Sequence, residues 1–245
     1  MTYCVGLKTR KGLIFMSDTR TNAGLDNIST FSKMRTWSNP GERMIVLLSA
    51  GNLATTQAVA SLLEEQVRQG VDTPSLMNTG SMFQTARLVG SVVQEVIRST
   101  APVGQTSDAF SASFILGGQI RGETTRLFYI YPEGNFIEAS TDTPFFQIGE
   151  HKYGKPILVR AYDADMSFEE ALKLLLVSFD STLKSNLSVG LPLDMQIYAA
   201  DSFKPGPRDR FDRNHPYFKE ISDGWSDALK SAFTRLPSLT IDFGS

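Results

Sequence analysis

The chain has 245 residues, a formal net charge of -2, and 41% hydrophobic against 20% charged residues, the balance of a folded globular chain. A pI near 5.8 excludes a global basic field for nucleic acid or an anionic membrane. One cysteine excludes an internal disulfide framework and fits a reducing compartment.

Cys4 with two histidines falls short of a four-ligand structural zinc site, and no cofactor motif is present. Apolar stretches such as Met44 to Leu48 are far below the roughly 20 residues a membrane span needs. The opening MTYC has neither the basic nor the long apolar region of a signal peptide. The expectation is a cytoplasmic protein without cofactor, nucleic acid or membrane partner.

In chain order, Tyr3 to Thr9 alternates with Tyr3, Val5 and Leu7 on one side, which predicts a half-buried strand. Arg10-Lys11-Gly12 turns the chain into Leu13 to Met16, apolar throughout and predicted to be buried on both faces. This hairpin brings Asp18 back towards Thr2. Thr21 to Ser32 is polar and reads as a loop or irregular edge. Two strands follow, Lys33 to Trp37 and Arg43 to Ser49, across a Pro40-Gly41 turn.

Asn52 is suited to cap a helix that closes at Gly70, and a second helix is predicted from Ser81 to Ser99. Ala101 to Ser107 is a loop. Strands are expected at Phe110 to Leu116, Arg126 to Tyr131 and Phe136 to Ala139, then an apolar run from Phe145 to Ile148. Gly149 to Pro156 reads as a helix start that soon breaks. Ser167 and Glu170 form a capping box for a third long helix, which ends between Lys184 and Gly190. A strand from Met195 to Ala199, a polar stretch from Asp201 to Tyr217, a short helix at Asp223 to Arg235 and an apolar tail close the chain. Antiparallel strands separated by helix pairs predict an α+β sandwich with helices outside stacked sheets.

The chemistry concentrates at the N-terminus. A threonine exposed by loss of Met1 can attack a carbonyl with its own α-amine as base, since a free α-amine ordinarily titrates at about 7.7–8.0. His151 and His215 have no surroundings that suggest a Ser-His-Asp or Cys-His arrangement.

The stretch TYCVGLKTRKGLIFMSDTR resembles the opening of proteasome β-type subunits, with their N-terminal Thr, hairpin and [SAG]-D-x-R motif. Lys33 in FSKMRTW, Ser49-Ala50-Gly51, and the helix opening at Ser167-Phe168-Glu169-Glu170-Ala171 follow in family order over about residues 2–200. Within the family the chain is most similar to the bacterial ancestral-β-subunit branch called Anbu. The resemblance implies a single four-layer αββα domain of N-terminal-nucleophile hydrolase type over residues 1–245. In it, residues 201–245 would be an extension packed on that domain or on a neighbouring subunit. The resemblance also implies Thr2 as nucleophile, Lys33 favouring its alkoxide, Asp18 orienting Lys33, and the Gly51 N–H stabilising the oxyanion.

Two supporting positions depart from the family pattern. Its Gly-Ser-Gly becomes Gly149-Glu150-His151. In its Arg-Asp-x-x-Ser-Gly loop Ser188 aligns with the serine, while the aspartate becomes Ser185 or Asn186. Glu150 either accepts a hydrogen bond from the Thr2 amine, raising its pKa, or caps the next helix.

The function expected is a threonine-type peptidase acting on peptides or unfolded protein, within an oligomer of identical subunits, a ring or an open helical turn. Leu236, Leu239, Ile241 and Phe243 would suit subunit packing. No G-x-x-x-x-G-K-[ST] occurs, so an unfoldase would be a separate ATPase. The alternatives are a hydrolase of non-peptide amides using the same nucleophile, and a catalytically weak assembly or binding protein that keeps the fold.

Overall fold

The computed structural model describes residues 1–22, 28–100 and 107–239. The chain opens with the hairpin β1 (Tyr3–Thr9) and β2 (Gly12–Asp18). A small hairpin follows, β3 (Arg20–Asn22) and β4 (Ile28–Thr30), and then β5 (Met34–Asn39) and β6 (Arg43–Gly51). The Asn52 side chain accepts from the Thr55 N–H and so starts α1 (Leu53–Arg68) by satisfying one of its orphan donors. After α2 (Met82–Thr100) come β7 (Ala112–Ile120), β8 (Arg126–Ile130), β9 (Phe136–Glu138) and β10 (Phe145–Gly149). Pro156 lies in the first turn of α3 (Lys155–Ala161), and α4 (Phe168–Ser185) carries both halves of the Ser167/Glu170 capping box. The chain continues through β11 (Leu193–Ala199), β12 (Arg208–Phe211) and α5 (Pro216–Thr234).

Two five-stranded antiparallel sheets are stacked. One has the order β10-β1-β2-β11-β12 and the other β5-β6-β7-β8-β9. Strand alternation sorts their side chains into three apolar layers. On β1, Tyr3, Val5 and Leu7 face Leu175, Leu176 and Phe179 of α4, while Cys4 faces the opposite sheet with Phe15, Val46 and Leu127. On β6, Met44, Val46 and Leu48 join that central layer, and Ile45 and Leu47 pack with Val59, Val89 and Val93 of α1 and α2. The architecture is therefore the four-layer αββα sandwich expected.

Several differences from the sequence reading share one cause, the presence of a partner layer or edge far away in the chain. β1 is buried on both faces, not half-buried, because small residues at its alternate positions (Cys4, Gly6) meet a second sheet rather than water. The polar 21–32 stretch contributes the edge hairpin β3–β4, whose central residues 23–27 lie outside the described residues. The strand expected at Phe110 begins instead at Ala112, after a 3-10 turn, and runs to Ile120. In the polar stretch after Asp201, β12 pairs with β11 and buries only Phe211. The last helix starts at Pro216, earlier than expected, and its first half packs Phe218 and Ile221 on the α4 side. From Asp227 onwards it is exposed throughout, as are Leu236 and Leu239, whereas Ile241 and Phe243 lie outside the described residues.

Candidate active site

Asp18 ends β2 with no exposed surface, and its carboxylate receives three donors. Oδ1 accepts from Lys33 Nζ at 2.7 Å and from the Tyr3 N–H at 2.9 Å, and Oδ2 accepts from the Gly190 N–H at 3.2 Å. The Lys33 ammonium makes a second bond, to the Arg20 carbonyl, at 2.7 Å. Lys33 is fixed because it leads directly into β5, while its carbonyl accepts from the Ser49 N–H at 3.0 Å. Burial pushes the Asp18 carboxyl above its ordinary range, and the Lys33 charge and the two N–H donors oppose that.

Thr2 lies just before β1. Its carbonyl accepts from the Glu150 N–H at 2.6 Å, so the segment after β10 holds its backbone. Gly149 makes this possible: its φ is +80°, and a Cβ there would lie 2.1 Å from the Thr2 carbonyl oxygen. Gly51, with φ +120°, ends β6 where any side chain would strike the Ser111 carbonyl. Thr2, Lys33 and Gly51 line one cleft of about 290 Å³ with Arg20, Phe31, Arg35 and Leu53, between the small hairpin and the start of α1. Asp18 stands behind Lys33, out of the cleft.

Of the two roles expected for Glu150, a cap on the next helix is not the one found, since the N-cap of α3 is Gly154. Glu150 closes the turn before that helix, Oε1 accepting from the His151 and Lys152 N–H groups at 2.9 and 2.7 Å. Oε2 accepts from Asn186 Nδ2 at 2.8 Å. Burial raises the Glu150 carboxyl, but these donors prevail and hold it below its ordinary range. Ser185 is exposed at the end of α4, so it is Asn186, and not Ser185, that meets Glu150. Ser188 is half-buried and outside the cleft lining. Its N–H donates to Asn186 Oδ1 at 2.9 Å, two residues before the Gly190 N–H that reaches Asp18.

The sequence profile of the proteasome subunit family matches residues 2–195. The chain belongs to the proteasome-subunit family. Solved relatives agree over nearly the full length. "Anbu (ancestral beta-subunit) from Yersinia bercovieri" is 50% identical, with a TM-score of 0.92 over 98% of this chain and 100% of that one. Anbu from Hyphomicrobium sp. strain MC1 is 52% identical, with a TM-score of 0.91 over 98% and 100%. A third, described as the helical assembly of the Anbu complex from Pseudomonas aeruginosa, is 46% identical, with a TM-score of 0.92 over 99% and 100%. No curated protein matches the chain.

Within this family fold, several site contacts lie beyond the motif. The backbone of Tyr3 anchors Asp18, and its hydroxyl joins Ser178 Oγ and Gln147 Nε2, each at 2.7 Å. Ser32, on the cleft wall, donates to Asp194 Oδ2 at 2.9 Å, and Asp194 Oδ1 accepts from Arg210 Nε at 2.6 Å. Beyond the hairpin contact of Tyr3 with Asp18, no local pattern announces these contacts, because the Tyr3 hydroxyl and Ser32 meet partners more than a hundred residues away and Arg210 reaches Asp194 from the neighbouring strand β12. Among the described residues no group of three or more His, Cys, Asp or Glu side chains could hold a metal, and no helix is long and apolar enough to cross a membrane.

Proposed function

We propose that the chain is a threonine-type peptidase whose nucleophile is Thr2 after removal of Met1, working in an assembly of identical subunits. The observation that carries this reading is Lys33, held at 2.7 Å by both Asp18 and the Arg20 carbonyl, in the cleft that Thr2 and Gly51 also line.

In the proposed reaction the Thr2 hydroxyl attacks the substrate carbonyl carbon and gives its proton to the freed α-amine. The amine of the cleaved bond leaves with that proton, and an ester to Thr2 remains. Water, losing a proton to the same α-amine, then hydrolyses the ester. Lys33 favours the alkoxide, Asp18 fixes Lys33, and the Gly51 N–H faces the oxyanion. Ser188 and Glu150 support the loops around them. The amine one residue before Thr2 indicates which groups would act on the freed one. That of Met1 is held below its ordinary value by burial first and by the Lys33 charge second, against Asp18 and Glu150. A lowered amine is a better base at neutral pH.

The substrates proposed are peptides or unfolded protein, in the cytoplasm, with any unfolding supplied by a separate ATPase. The partners proposed are copies of the chain, in a ring or an open helical turn; the Pseudomonas relative's helical assembly supports this.

The test begins with protein whose loss of Met1 is verified by intact mass. A peptide epoxyketone, which requires both a hydroxyl and a free α-amine, should label Thr2 and no other residue. Lys33→Ala and Asp18→Asn should each slow labelling by at least about 10²-fold, the scale of removing an electrostatic stabiliser. Absence of labelling in Met-free protein sinks the reading. Glu150 favours a second one, a catalytically weak assembly protein, because its charge raises the Met1 amine and would raise the freed Thr2 amine in the same sense.

A further inference from the structure

We propose that the cleft selects an acidic side chain next to the bond to be cleaved, with Arg35 as the specificity-determining residue; this rests on reading the cleft as the peptide site. Lys33 immediately precedes β5 and Arg35 is its second residue; both line the cleft, while Met34 between them, only 1% exposed, turns into the core between the sheets. Two residues of strand place Arg35 about 7 Å along from Lys33. That spacing suits a carbonyl held near Thr2 and Lys33 with its side chain reaching Arg35.

The charges of the wall are one-sided. The cleft lining includes Arg20, Lys33 and Arg35 and, among the described residues, no Asp or Glu. The three cations are not equivalent. Lys33 is committed to Asp18 at 2.7 Å. Arg20 is held against Gly190 and donates from Nη1 to the Leu187 carbonyl at 2.8 Å, so its guanidinium is tied to the loop that anchors Asp18. Among the described residues Arg35 has one ion-pair partner, Glu64 of α1 at 3.7 Å, with both side chains more than 40% exposed. A pair so long and wet holds its arginine weakly. Small neighbours, Ala50, Thr56 and Ala60, leave room beside it. A carboxylate entering here meets an arginine whose donors are, among the described residues, left largely unspent.

The test uses Met1-free protein and four tripeptide epoxyketones that differ only at the residue beside the electrophile: Glu, its isostere Gln, Leu and Lys. Glu should label Thr2 about tenfold faster than Gln at low salt, as expected for one charge pair at partial exposure. The ratio should shrink as salt shortens the screening length. In Arg35→Gln the Glu:Gln ratio should fall to about one, whatever happens to the absolute rates, and Arg35→Glu should favour Lys. Equal labelling by Glu and Gln, or a ratio that survives Arg35→Gln, overturns the inference while leaving the nucleophile intact. If no probe labels Thr2, the peptidase reading fails instead. Fluorescence anisotropy of the matching peptide amides then decides: tighter binding of Glu than of Gln, lost in Arg35→Gln, upholds the selectivity, and equal binding overturns it.

Discussion

At the scale of single residues, Lys33, Asp18 and Glu150 are the charges that act on the N-terminal amine, and Glu150 is the one whose removal is most informative. Its carboxylate raises the Met1 amine, so in the proposed peptidase Glu150→Gln should lower the freed Thr2 amine one residue on and move the acid limb of the kcat/KM profile to lower pH. The variant also loses stability. Because donors from His151, Lys152 and Asn186 hold the carboxyl below its ordinary range, Glu150 contributes its full stabilisation above the unfolded value of about 4.3. That contribution disappears as pH falls through the lower folded value. Denaturant titration should therefore show Glu150→Gln less stable by about 1–3 kcal/mol at pH 7, with the deficit closing below pH ~4. Cys4 is the opposite case. It is fully buried, burial pushes its thiol up, and its Sγ points to the Ser49 carbonyl, so it has no nucleophilic role. Iodoacetamide should leave the folded protein unmodified and alkylate one site after denaturation, as read by mass.

At the scale of elements, local signals and long-range contacts divide the work. The Ser167/Glu170 box is complete, and Ser167→Ala should cost about 1 kcal/mol and lower Tm by roughly 2–4 °C in a scanning melt, without altering cleavage selectivity. Caps of this kind are readable in advance because both partners lie within one turn. The hairpin β1–β2 is readable for the same reason, its partners being close in sequence. β12 and the first turns of α5 are not. Arg208 to Phe211 contains three charged residues in four, and what makes it a strand is the free edge of β11, about ten residues back and already fixed by β2.

At the scale of the molecule, the exposed end of α5 from Asp227, with Leu236 just beyond it, is the feature that a lone subunit leaves unexplained. Leu229, Phe233 and Leu236 recur at helical spacing and are 50%, 78% and 64% exposed. Within a proposed oligomer this stripe is covered by another copy. Leu229→Glu with Phe233→Glu should lower the assembled mass in light scattering while changing the stability of the subunit by no more than about 0.5 kcal/mol, as for exposed positions. An unchanged mass would place the assembly contact elsewhere.

What the amino-acid order determined by itself was the periodicity and the local chemistry: which segments alternate, where helices are capped, and that Thr2, Asp18, Lys33 and Gly51 stand in family order. Those properties depend on neighbours a few positions apart. The tertiary structure alone decided that β1 is buried twice over, that Glu150 meets Asn186, that Tyr3 and Gly190 complete the shell of Asp18, and that Arg35 shares a cleft with Lys33. The burial of β1, the Glu150–Asn186 bond and the Gly190 contact join groups from separate layers or loops, and the cleft around Lys33 and Arg35 is closed by α1, encounters that no short window of sequence encodes.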